Sequence, residues 1–153
     1  MKRLNKNLAD YLLDEGLVRL PYNSGDEPVI FVEPTDGAPS PDDLDDTAAT
    51  DITLTLTTSG GVGTPPYEGF LNRRLTRFTF RCKKGKEKDL IDFSNNIDAA
   101  LDDKRAWIMG DLRIEIAQLY VPLQLINTTY TDQGAIYQSE YFFLFRKASL
   151  EEE

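Results

Sequence analysis

Four aspartates, Asp42, Asp43, Asp45 and Asp46, fall within five consecutive positions and are the densest group of side chains that could do chemistry. Carboxylates this close can hold a divalent cation, but a calcium loop also needs a glycine at its sharp turn and a distal bidentate acid. Counting Asp43 as the first position, the third is Asp45, the fifth Thr47, the sixth Ala48 and the twelfth Leu54, so the pattern fails. A two-metal nuclease would carry its acids on rigid strand ends, whereas these lie between prolines. The run SGGVGTPP at residues 59–66 follows a strand-like stretch, as a phosphate loop would, but it has no lysine and no helical segment after it. It reads as a hairpin tip. Histidine is absent, which removes Ser-His-Asp and Cys-His nucleophilic machinery and any zinc site built on imidazole. The single cysteine, Cys82, excludes an internal disulfide and a thiolate zinc cluster. It alternates with Phe78 and Phe80, as a buried small apolar residue does. No spacing nominates an acid–base pair among Asp, Glu, Lys and Tyr, so the expectation is no catalysis, no cofactor and no tightly bound metal.

The charges that do no chemistry are segregated. Residues 20–72 contain no Lys or Arg but ten acids: Asp26, Glu27, Glu33, Asp36, Asp42, Asp43, Asp45, Asp46, Asp51 and Glu68. The remaining 100 residues carry 17 basic and 16 acidic groups, a net of +1 against −9 for the whole chain. Residues 73–88 then hold eight basic side chains and one acid, Glu87. Blocks of opposite sign in one chain provide for steering or complementary contacts, or are simply two solvated surfaces. A net charge of −9 argues against a general binder of phosphate backbones.

The elements that position these groups can be read from periodicity. At 153 residues, 41% hydrophobic and 28% charged, the chain reads as one globular domain over 1–153 with an acidic loop at 35–51. The first fifteen residues mix Lys, Asn and Asp with leucines, unlike a signal-peptide core, and no window approaches the ~18 apolar residues of a membrane span. Leu4, Leu8 and Leu12 recur every four residues on a short helix ending near Gly16. Residues 29–32 form a short apolar strand between prolines, of the edge type. Ile52, Leu54 and Leu56 alternate with threonines on a second strand, and residues 59–69 are read as a flexible connection. In the strand at residues 71–82, Phe78, Phe80 and Cys82 take one face and Arg73, Arg77 and Arg81 the other. After a polar turn, Leu90, Phe93, Ile97 and Leu101 hold helical spacing. Two strands follow: Leu112, Ile114 and Ile116 alternating with Arg113 and Glu115, then residues 137–145, apolar on both faces as in a central strand. Pro122 and residues 127–134 mark a turn-rich connection between them. The class is therefore α+β, a mostly antiparallel sheet packed by two helices in the order helix-β-β-β-helix-β-β.

Several segments together resemble a known family. They are ADYLLDEGL at the end of the first helix, the turn at Pro65, Pro66 and Tyr67, the strand RRLTRFTFRCK, the helix KDLIDFSNNIDAAL, and the aromatic strand YFFLF. From about Leu8 to Arg146 the chain resembles the minor-capsid or tail-completion family of tailed bacteriophages, related in fold to tail terminator proteins. The acidic insertion at residues 35–51 departs from that pattern. The resemblance implies a structural virion protein of the phage tail and neck, made in the host cytoplasm, with no enzymatic activity and no membrane. It would form a homo-oligomeric ring, a hexamer, that caps the tail tube protein and meets the neck or connector proteins. Genomic DNA would pass through the ring without specific binding, and carboxylates facing a lumen would repel its phosphates.

On this reading, Arg73, Arg77 and Arg81 of one subunit meet acids of the 20–72 block of the next, with Asp42, Asp43, Asp45 and Asp46 among them. Residues 35–51 and 59–69 are expected to be mobile alone and ordered on assembly, because their composition buries too little apolar surface to offset ordering. Two other classes stay open: an acidic protein-binding module acting on a basic partner, and a carboxylate-dependent hydrolase.

Overall fold

The computed structural model describes residues 2–21, 23, 25–32, 51–61, 71–128 and 135–148. Two helices, α1 (Lys2–Asp14) and α2 (Glu87–Leu101), pack on one side of a sheet built from β1 (Val29–Val32), β2 (Ile52–Gly61), β3 (Asn72–Cys82), β4 (Lys104–Met109), β5 (Leu112–Thr128) and β6 (Ala135–Lys147). The six strands lie in the order β1-β2-β3-β6-β5-β4. Only β1–β2 is parallel; every other neighbouring pair is antiparallel. The fold class and the order helix-β-β-β-helix-β-β hold, with one further strand, β4, set between α2 and β5. Neither helix is long and apolar enough to cross a membrane.

The core lies between the helices and the sheet. Leu4, Leu8 and Leu12 of α1 and Leu90, Phe93, Ile97 and Leu101 of α2 meet Leu54, Leu56, Phe78, Phe80, Ile114, Tyr141, Phe143 and Phe145 in one buried cluster. The four-residue spacing in α1 and the 3.6-residue spacing in α2 are what place these side chains on one stripe. Phe80 meets Phe93 edge to face at 5.7 Å, and Phe78 lies 5.0 Å from Tyr141. α1 stops where Gly16 turns left-handed (φ 74°), a conformation open to glycine at little cost. Glu87 and Asp89 open α2, where carboxylates complement the positive end of the helix.

Polar contacts fix how α1 sits. Asn5, only 2% exposed, donates from Nδ2 to Thr58 Oγ1 (3.2 Å) and accepts at Oδ1 from Thr76 Oγ1 (2.9 Å). Thr58 and Thr76 are cross-strand partners, so one side chain of α1 clamps the β2–β3 ladder. At the other end of the sheet, β4 and β5 are joined by the two-residue turn Gly110-Asp111, with Gly110 at φ 64°. Asn7 Nδ2 donates to Asp111 Oδ1 at 2.7 Å, and a Cβ on Gly110 would fall 2.6 Å from Asn7 Cγ.

The structure corrects three sequence expectations. Residues 59–61 belong to β2, not to a flexible connection; past Thr58 the register with β3 shifts, and that bulge masks the alternation. Pro122 and residues 127–128 lie within β5 rather than in a turn-rich connection. β4 pairs with β5 only as far as Ala117, so the missing N–H of Pro122 leaves no β4 ladder bond unmade. Ile116 does not follow Leu112 and Ile114 into the core. A bulge at Glu115 turns Ile116 to the other face beside Leu144, and Ala117 takes the core position against Phe143. The expectations about residues 35–50, 62–69 and 129–134 lie outside the described residues.

Two edge features complete the sheet. Arg19 forms a parallel bridge with Val29 on the outer side of β1, through Arg19 N–H to Pro28 O (2.9 Å) and Ile30 N–H to Arg19 O (3.0 Å). On the opposite edge, Ala106 in β4 has φ 53°, and no ladder pair forms there between Arg105 and Trp107.

Candidate functional site

Side chains alternate across a strand, so the residues that oppose the core on β3 and β6 form the second face of the sheet. Arg73, Arg77 and Arg81 lie there, as expected, with Phe78, Phe80 and Cys82 buried behind them. Their cross-strand partners on β6 are Leu144, Glu140 and Ile136. Arg77 makes an ion pair with Glu140 at 3.7 Å, within its own chain. Further along, Arg113 and Arg146 converge on Glu115 at 2.8 and 3.5 Å. This face therefore carries five arginines and two glutamates among the residues just named, a net of +3.

Between the arginines lies an apolar centre. Leu75 is the cross-strand partner of Phe142, and Ile116 the partner of Leu144. All four are half-buried, and no described helix covers them. At the β1 end of the same face, Val29 and Phe31 are buried although they lie outside the helix-side core. Arg74, by contrast, is buried on the helix side with Asn72 and Thr76, a polar strip that the phenylalanine alternation alone does not announce.

An acidic groove of about 450 Å³ lies on the helix side, between the loop after α1, the start of β2 and the first half of α2. Asp26, Glu27, Asp51, Asp89 and Asp92 line it, with Arg19 beside them. Lys86 bridges two of these acids, 3.7 Å from Asp51 and 3.9 Å from Asp89. Three of the groove's acids come from the 20–72 block; Asp89 and Asp92 do not, and their signal in the sequence is the i, i+3 spacing on the solvent side of α2. Asp42, Asp43, Asp45 and Asp46 lie outside the described residues, so the structure does not place them against the arginines. No group of three or more His, Cys, Asp or Glu among the described residues is arranged to hold a metal ion.

Among the described residues, Asp98 reaches towards the core. Tyr141 of β6 is fully buried, and its hydroxyl donates a hydrogen bond to Asp98 of α2. Burial pushes the Asp98 carboxyl above the ordinary carboxylate range, and the hydrogen bond from Tyr141 opposes that rise. The same burial pushes the Tyr141 hydroxyl far up, so it stays protonated and donates. Asp102, one turn on, accepts from the backbone N–H of Leu119 at 2.9 Å. Both contacts attach the end of α2 to the central strands. None of these residues lines the acidic groove. Cys82 is buried, and burial pushes its thiol up, which makes it a poor nucleophile.

Past Ala117, where β4 no longer pairs with it, β5 exposes apolar side chains. Tyr120, Leu125 and Ile126 are 63, 51 and 51% exposed.

No protein-family model matches the chain, and no curated protein matches it. A solved structure that carries no functional name is similar over 95% of this chain and 92% of its own length, with a TM-score of 0.51 at 12% identity. A likeness at that identity shows the fold alone.

Proposed function

We propose that this chain is a structural virion protein of a tailed bacteriophage, a ring-forming subunit that caps the tail tube and joins it to the neck or connector. The observation that carries the reading is the exposed apolar surface of the β5–β6 hairpin. Tyr120, Leu125 and Ile126 stand open to solvent on the stretch of β5 that β4 no longer flanks, as side chains awaiting a protein partner do. The open sheet face, apolar at its centre and charged around it, supports the same reading, because such composition belongs to interfaces. The sequence resemblance supplies the identity of the assembly, and the ring is expected to hold six copies. Its neighbours would be the tail tube protein and the connector proteins, with DNA passing through unread.

The test is the mass and shape of the full chain in solution. Sedimentation and negative-stain images should show closed rings with a central opening. A monomer at every concentration and salt tried would refute the proposal. A second reading, an acidic module that binds a basic protein, draws on the groove lined by Asp26, Glu27, Asp51, Asp89 and Asp92. It predicts a monomer that forms a complex of equal stoichiometry with a basic polypeptide.

A further inference from the structure

We infer that the open sheet face of one copy docks on the solvent side of α2 in the next copy; this rests on the ring reading and deepens it. The two surfaces lie on opposite sides of the molecule, because the core separates the sheet's second face from the helices. Their charges are complementary. The groove beside α2 sets Asp26, Glu27, Asp51, Asp89 and Asp92 against Arg19 and Lys86, a net of −3, while the named charges of the sheet face sum to +3. Their apolar parts correspond too. Ile91, 40% exposed, stands between Asp89 and Asp92 on the outside of α2, and Leu75, Phe142, Ile116 and Leu144 form the centre of the arginine-edged face.

Two features count against a phosphate backbone or a two-fold copy on this face. Arg77, Arg113 and Arg146 are already paired with Glu140 and Glu115, and those glutamates would repel a phosphate backbone. A copy facing itself across a two-fold axis would bring two surfaces of net +3 together. The contact is therefore heterologous, front of one copy to back of the next, and such a contact closes into a ring when its rotation divides the circle. The acid partner moves accordingly, from the 20–72 block at large to α2 and the groove beside it, with Asp92 at the junction.

The test is a charge swap read by sedimentation velocity on the full chain. Arg73→Glu and Asp92→Arg, both at exposed sites, should each raise the subunit dissociation constant about tenfold, and the double variant should recover most of that loss. Phe142→Gln should weaken assembly with a far-UV spectrum and melting temperature like the parent's. Single variants that assemble like the parent, or a double variant no better than the singles, overturn this interface. If the parent forms closed rings in that case, the ring reading survives; if the parent is monomeric throughout, both fall. Retention of a DNA oligonucleotide by the parent at physiological salt, abolished by Arg73→Glu, also overturns it.

Discussion

Removing the Tyr141 hydroxyl probes the place where, among the described residues, a carboxylate is drawn towards the core. In Tyr141→Phe the ring still fills its site among Phe78 and Phe143, so the packing loss is small. What disappears is the donor to Asp98. A hydrogen bond to a charged group contributes about 1.5–3 kcal/mol, and Asp98 would keep its burial without it. For a chain of this size that corresponds to a fall in Tm of roughly 3–12 °C. The penalty should depend on pH, with the sign set by the carboxyl. Asp98 lies above its ordinary value in the fold, so just above that value the unfolded chain releases the proton and the fold keeps it. Its protonated form is the better tolerated, and the stability it confers is present at acid pH and lost as pH rises through the folded value. Without the Tyr141 hydroxyl this window extends further upward. The loss in Tyr141→Phe should therefore be largest at pH 7 and shrink towards about pH 4, where a neutral carboxyl loses only a neutral hydrogen bond of about 1 kcal/mol. Urea unfolding followed by the fluorescence of Trp107, the only tryptophan, gives the comparison at each pH. Asp98→Asn is the control: it removes the titrating group, keeps an acceptor for Tyr141, and should flatten the difference. A penalty under about 0.5 kcal/mol at pH 7, or one equal at both pH values, would refute the argument.

Three further outcomes follow from single contacts. Asn5→Ala leaves the buried Thr76 hydroxyl without its acceptor and releases Thr58, so it should cost about 1–3 kcal/mol in chemical denaturation. Gly110→Ala forces a side chain into a left-handed turn and against Asn7, so a loss of about 1–2 kcal/mol is expected; made in an Asn7→Ala background, the same change should cost less, because only the backbone part remains. Cys82 should resist alkylation by iodoacetamide in the native protein at pH 8 and react at once in urea, because its thiol is buried and its proton held more tightly than usual.

Much of the fold was legible in the sequence where one periodicity runs unbroken. The leucines of α1, the Leu90-Phe93-Ile97-Leu101 stripe of α2, and the alternation through Phe78, Phe80 and Cys82 all lie on regular backbone, and the structure repeats them. β4 escaped because its helix-side residues are Lys104, Trp107 and Met109. The left-handed Ala106 inserts an extra step between the first two and erases the two-residue period. Lys104 also reads as a surface charge, yet its ammonium lies over the Trp107 and Tyr11 rings at 5.2 and 5.8 Å. β5 was cut short by its bulges, which turn a 17-residue strand into pieces of opposite parity. The arginine face was readable from strand geometry alone. The acidic groove was not, because it joins residues 26–27, 51 and 89–92, which only the folded sheet brings together.

The interruptions in the outer strands bear on how the folded chain behaves at high concentration. An edge that is regular and bare can template another copy by backbone pairing, and such growth has no natural end. Here Arg19 occupies the outer side of β1, Ala106 breaks the line of β4, and Pro122 withholds a donor from the stretch of β5 beyond β4. A ladder begun on any of these would stall after a few hydrogen bonds. On the ring reading, a stock of newly made chains could thus become crowded without seeding fibrils, leaving side-chain recognition, which can count, to decide how many copies join.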